Sequence, residues 1–106
     1  MAEGLPTLGE ALEAEAAVLD GVERTAVPTG AEWRLGGTLF AVLDGDGAEF
    51  RLAPPVAAAA LHTPDTVTSA RGHGWVAFRP ATVDGHALDR AVAWLASAWR
   101  RVSSEG

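Results

Sequence analysis

The run AEWRLGGTLFAVLDGDGAEFRL, residues 31–52, constrains the fold of this chain more than any other stretch. It divides into three strand-like segments, AEWRL, TLFAVL and AEFRL, separated by glycine-rich steps. Alternation of period two sends successive side chains to opposite faces of a sheet. Gly36-Gly37 has the form of a two-residue hairpin loop. That loop places Leu35 opposite Thr38 and sets Trp33, Leu35, Phe40 and Val42 on one face. Ala48, Phe50 and Leu52 join the same face if the second loop spans three residues. Asp44 then opposes Ala48, and Gly47 takes the left-handed conformation such a loop needs. The other face would carry Glu32, Arg34, Leu39, Ala41, Leu43, Glu49 and Arg51. Such a mixed surface suits arginine stems lying over leucines, a ligand, or a second copy of the chain.

Helical periodicity flanks this meander. Thr7-Leu8-Gly9-Glu10 has the form of a capping box. Leu8, Leu12, Ala16 and Leu19 then recur at helical spacing up to Gly21. APPVAAAALHTP predicts a short helix that starts at its prolines and stops before Pro64. TVTSA is a candidate short strand, and WVAFR is the final strand. Asp84 can cap a last helix from Gly85 to about Val102, with a stripe of Leu88, Ala91, Val92, Leu95, Ala98, Trp99 and Val102. The expected fold is therefore a single α+β domain over residues 1–106. An antiparallel sheet, a three-stranded meander plus one or two strands, carries the N- and C-terminal helices on one face. Residues 1–5 and 103–106 are expected to fray.

Composition removes several function classes. The chain has no cysteine, so disulfides, thiolate nucleophiles and cysteine metal sites are excluded. The N-terminus lacks the basic and apolar regions of a signal peptide, and no apolar run approaches bilayer length, so a cytoplasmic setting without membrane contact is expected. The net charge is −6 and all eight cations are arginine. Nucleic acid would have to meet a local basic patch, because the whole-molecule field repels phosphate.

The candidate chemistry is sparse. His62, His73 and His86 are not spaced as a helical ligand pair, so no metal or other cofactor is expected. Ser69, Ser97, Ser103 and Ser104 lack a nucleophile-elbow context, and Asp44 and Asp46 sit in a turn, so no catalytic residue is assigned. In RGHG, residues 71–74, Arg71 and successive backbone N–H groups could hold an anion. The segment runs into a strand rather than a helix N-terminus, which favours a turn leading Trp75 into the sheet. Four tryptophans exceed what so small a core needs. Trp33 and Trp99 suit the core, whereas Trp75 and Trp94 suit partial exposure, where an adjacent arginine can stack on a base or ligand.

The segments Gly37-Thr38-Leu39-Phe40-Ala41, Gly74-Trp75-Val76 and Ala98-Trp99-Arg100 resemble the MmcQ/YjbR family of small bacterial proteins, over about residues 8 to 102. The bacterial luciferase-domain-like proteins have a similar outline and rank second. The first resemblance implies a CyaY-like fold and a DNA-binding role, with no catalytic residues and no established cofactor. Thr38 stands where that family's pattern has lysine. The expected binding residues are Arg34, Arg51, Arg71, His73, Trp75 and Arg79, with the hairpin tips at Gly36-Gly37 and Asp44–Gly47 as wings. The alternatives without nucleic acid are a small-molecule site on the mixed face beside Trp75, or a homodimer through Leu39 and Leu43.

Overall fold

The computed structural model describes residues 4–105. The chain order is α1 (Leu8–Val18), β1 (Val22–Val27), β2 (Gly30–Leu35), β3 (Thr38–Asp44), β4 (Gly47–Arg51), α2 (Pro54–Ala60), β5 (Thr66–Thr68), β6 (Trp75–Phe78) and α3 (Gly85–Glu105). The strands form one antiparallel sheet in the order β1-β2-β3-β4-β6-β5. The fold is α+β, as the pattern predicts, but with one strand more.

The additional strand is β1, VERTAV. Only its two end residues are even half-buried. An edge strand exposed on both faces has no reason to alternate, so the period-two signal is absent. Its β-branched residues and the following Pro28 are the signal that remains.

The capping box forms as predicted: Glu10 N–H donates to the Thr7 hydroxyl, and Thr7 N–H donates to the Glu10 carboxylate at 2.8 Å. Asp84 caps α3, accepting from Ala87 N–H at 2.8 Å. That helix runs to Glu105 and does not fray at 103 as expected. Arg51 and Arg101 both donate to the Glu105 carboxylate, and the Ser104 hydroxyl donates to the Arg101 carbonyl, which tie down the last turn. The expected fraying of residues 1–3 and of Gly106 lies outside the described residues.

The register differs from the expectation in two places, and the two differences cancel. Leu35 opposes Thr38 across Gly36-Gly37, both left-handed at φ 57° and 83°. The ladder then shifts between Trp33 and Arg34, so that Trp33 opposes Ala41 rather than Phe40. This bulge in β3 lets Phe40 and Ala41 both reach full burial. Beyond it the parity is reversed: Ala41 and Leu43 belong to the core cluster, and Val42 turns to the other side. The second loop has two residues, not three. Asp44 opposes Gly47, and Gly45 supplies the positive φ of 61°. Ala48 and Phe50 therefore still share a face with Trp33, because the slip in β3 offsets the shorter turn. Gly47 does not take the left-handed conformation expected of it, and the Arg79 guanidinium lies against its Cα.

All three helices lie on one face. Leu8, Leu12 and Ala16 of α1, Ala57 and Ala60 of α2, and Ala87, Ala91, Trp94, Leu95, Ala98 and Val102 of α3 join Ala31, Trp33, Phe40, Ala41, Leu43, Ala48, Phe50, Val76 and Phe78 in one core. Trp94 is buried, not partly exposed as expected, and meets Phe78 edge-on at 5.1 Å. Trp99 is the half-buried one, its Nε1 donating to the Asp20 carbonyl at 2.9 Å. Among the described residues no helix is long and apolar enough to cross a membrane.

Candidate functional site

The sheet's second face is covered by no helix, and its residues follow from register parity. Glu23, Thr25, Glu32, Arg34, Leu39, Val42, Glu49, Arg51, Trp75, Ala77 and Val67 share it. Arg34, Arg51 and Trp75, three of the expected binding residues, thus start from one surface. Arg71 and Arg79 join it through their contacts. Leu43 does not, because the bulge turns it into the core, so it is unavailable to the dimer surface expected of it. Trp75 is only 9% exposed, against the expectation of a partly open ring.

One side of Trp75 is covered from the connection between β5 and β6. Arg71 lies over the ring with its Cζ 5.7 Å from the centroid. Glu49 sits two residues before Arg51, which is itself directly opposite Trp75. Its carboxylate accepts from Arg71 Nε at 3.1 Å and from the Ser69 hydroxyl, and the Ser69 oxygen accepts in turn from Arg71 N–H at 3.1 Å. Glu49, Ser69, Arg71 and Trp75 therefore form one closed cluster. Sequence reasoning found Arg71 and Trp75 in it and missed Glu49 and Ser69 as their partners, since separations of 20 and 22 residues leave no local signal.

The other arginines of this face are paired too. Arg34 meets Glu32 at 2.9 Å, and Arg51 meets Glu105 at 2.9 Å. Arg79 pairs with Asp46 and lies 4.0 Å from Asp44. Hydrogen bonding from Arg51 holds the Glu105 carboxyl below its ordinary range, although that group is solvent-exposed. Every arginine expected to contact phosphate thus already faces a carboxylate of its own chain. The Asp44–Gly47 tip, expected as a DNA wing, carries two of those carboxylates.

His73 stands apart. Trp75 N–H donates to the Gly72 carbonyl at 3.2 Å, and Gly74 has φ of 84°, the pattern of a type II turn with His73 at its corner. A Cβ on Gly74 would meet the Leu52 carbonyl at 2.8 Å and Arg101 Nη1 at 2.5 Å, so the backbone approach requires glycine there. The RGHG motif is the connector its glycines suggest. His73 is exposed and borders a cavity of about 300 Å³ against α2, lined also by Ala57, Ala58 and Leu61. Among the described residues no cluster of three or more histidines and carboxylates could hold a metal.

A cavity of about 500 Å³ lies between the chain ahead of α1 and the β3–β4 turn, lined by Leu5, Pro6, Leu8 and Val83 among others. Arg34, Arg51, Arg71 and Arg79 line neither of these cavities. The hollow of about 300 Å³ nevertheless lies beside Trp75, which lines it together with His73, so two of the expected binding residues border an apolar recess, although it opens toward α2. Compared with family models, with curated proteins and with solved structures, the chain matches none.

Proposed function

We propose that this chain is a non-catalytic binding module of the MmcQ/YjbR kind, a cytoplasmic protein on a CyaY-like arrangement, whose helix-free sheet face meets a protein partner. The single observation behind this reading is the arrangement of Arg34, Arg51, Arg71 and Arg79 on that side, each set against a carboxylate. A protein interface accommodates a mosaic of paired charges around small apolar residues such as Ala77 and Val67. A phosphate backbone instead gains affinity by meeting uncompensated cations and releasing its counterions. DNA, the partner the resemblance implies, would have to displace four carboxylates on a chain of net charge −6.

Two measurements test the choice. Fluorescence anisotropy with labelled duplex and single-stranded DNA at low salt is expected to show no saturable binding. A salt-sensitive affinity that falls in Arg34→Ala and Arg71→Ala would restore nucleic acid as the partner. A photo-crosslinking residue at Val67, 63% exposed on this face, is expected to trap protein adducts in cells that one at Arg100 on α3 does not. Equal patterns from both positions would remove the sheet face as the binding surface.

A further inference from the structure

The two edges of the sheet are built differently. β5 is three residues long and is closed by the turn through Asp65, whereas β1 is a six-residue strand. Edge strands are normally blunted by shortness, proline, charged side chains or a bulge. β1 carries two charges, Glu23 and Arg24, of which Arg24 is taken up by Glu13 of α1, but it has no proline and its pairing with β2 runs without a shift from Val22 to Val27.

The phase of that ladder fixes which backbone groups point outward. Val27 and Gly30 close a two-residue loop, Pro28-Thr29, so they form a hydrogen-bonded pair. Thr25 and Glu23 then bond to β2 as well. Val22, Arg24 and Ala26 turn their N–H and C=O groups outward, where among the described residues no hydrogen bond to them is made.

We infer that this edge pairs with the β1 of a second copy, antiparallel, around a two-fold axis at Thr25. Both copies keep their helices on the same side only if residues of equal parity oppose each other. Of the registers that satisfy this, the one centred on Arg24 sets two arginines face to face. The one centred on Glu23 sets two glutamates face to face, and like charges directly opposite are unfavourable. Centring on Ala26 shortens the overlap. Centring on Thr25 opposes Ala26 to Arg24 of the second copy and Glu23 to its Val27, with about four inter-copy hydrogen bonds. No like charges stand directly opposite each other, and each Arg24 has Glu13 of its own copy as a partner. The neighbouring helix supports the same edge: Ala17 shares a small hollow with Val22 and Arg24, and Ala14, Ala17 and Val18 are exposed, Val18 to 76%. The product is a continuous twelve-stranded sheet. It leaves the helix-free face open in both copies, so it does not depend on that face's partner.

The absence of cysteine makes the register directly readable. Thr25 lies in a non-hydrogen-bonded pair at the axis, where opposing Cα atoms stand about 4.5 Å apart, within the roughly 4.4–6.8 Å span of a disulfide. Thr25→Cys is expected to crosslink under mild oxidation at least tenfold faster than Glu23→Cys, whose equivalent positions stand about 13 Å apart. Ala26→Pro removes only an outward N–H. It is expected to halve the mass measured by light scattering at high protein concentration while leaving the circular dichroism spectrum unchanged. Equal crosslinking at positions 23 and 25, or a wild type that remains monomeric at all concentrations, would overturn the inference.

Discussion

Removing Arg71 separates an arginine that closes the fold from one held ready for a ligand. In the structure Arg71 covers Trp75 at 5.7 Å and donates to Glu49 at 3.1 Å, with side-chain exposures of 36% and 20% for that pair. A cation–π contact at such a site contributes about 0.5–1 kcal/mol. A partly exposed ion pair adds about 0.2–1 kcal/mol. If Arg71→Ala also returns roughly 30 Å² of the indole to water, the hydrophobic loss is about 0.7 kcal/mol. These contributions overlap, so we expect Arg71→Ala to destabilise the protein by about 1.5–2 kcal/mol. Urea unfolding followed by tryptophan fluorescence measures this as a lower midpoint at an unchanged slope. Arg100→Ala, at an exposed position on α3, is the comparator and is expected to stay within about 0.5 kcal/mol. A double-mutant cycle with Trp75→Leu should return a coupling of about 0.5–1 kcal/mol. If Arg71→Ala costs no more than Arg100→Ala, the covering of Trp75 is not what Arg71 does, and the case against phosphate binding loses its main support.

Phe40→Ala at the bulge should cost about 3 kcal/mol or more in the same assay, because Phe40 is fully buried, whereas its half-buried neighbour Leu39 should cost clearly less. Gly30→Ala would drive a Cβ into the Leu43 carbonyl of the adjacent strand and should cost about 3 kcal/mol or prevent folding, while Gly45→Asn, with φ of 61° and open space around it, should fold normally. The Glu105 carboxyl is depressed in the folded state, so its contribution is present at neutral pH and is lost as pH falls through its lowered value. Glu105→Gln should therefore flatten the acid limb of a stability–pH curve while lowering the neutral plateau, and an unchanged acid limb would show that the Arg51 pair does not form in solution.

Much of this fold is legible in the sequence because local rules agree there. The capping box at Thr7, the glycine pair at 36–37, the Asp84 cap and the α3 stripe each act within a few residues, and each appears where its residue types require. β1 escaped because alternation reports half-burial, and an edge strand exposed on both faces has none to report. The bulge escaped for a different reason. Pairing Trp33 with Phe40 keeps a continuous ladder, but it leaves Ala41 and Leu43 on the wet face; slipping by one residue buries Phe40, Ala41 and Leu43 together. Only the competition between a ladder hydrogen bond and three buried side chains decides that, and no sequence period encodes it.

The candidate site was half legible, and the missing half reverses its meaning. Arginines at 34, 51, 71 and 79 read as a basic patch when the chain is taken one residue at a time. Folding brings Glu49 to Arg71 across 22 residues, Asp46 to Arg79 across 33, and Glu105 to Arg51 across 54. A two-layer fold must make the uncovered side of its sheet compatible with water, although strands on that side still carry Val42 and Trp75. Guanidinium groups meet that requirement because they are weakly hydrated and planar, and they lie on an indole while their N–H groups bond a carboxylate. Of the side chains that would recruit phosphate, Arg71 is thereby committed to sealing Trp75, and Arg34, Arg51 and Arg79 are each held by a carboxylate. Were this surface to meet a partner that supplies only negative charge, the displaced glutamates and aspartates would be left facing it.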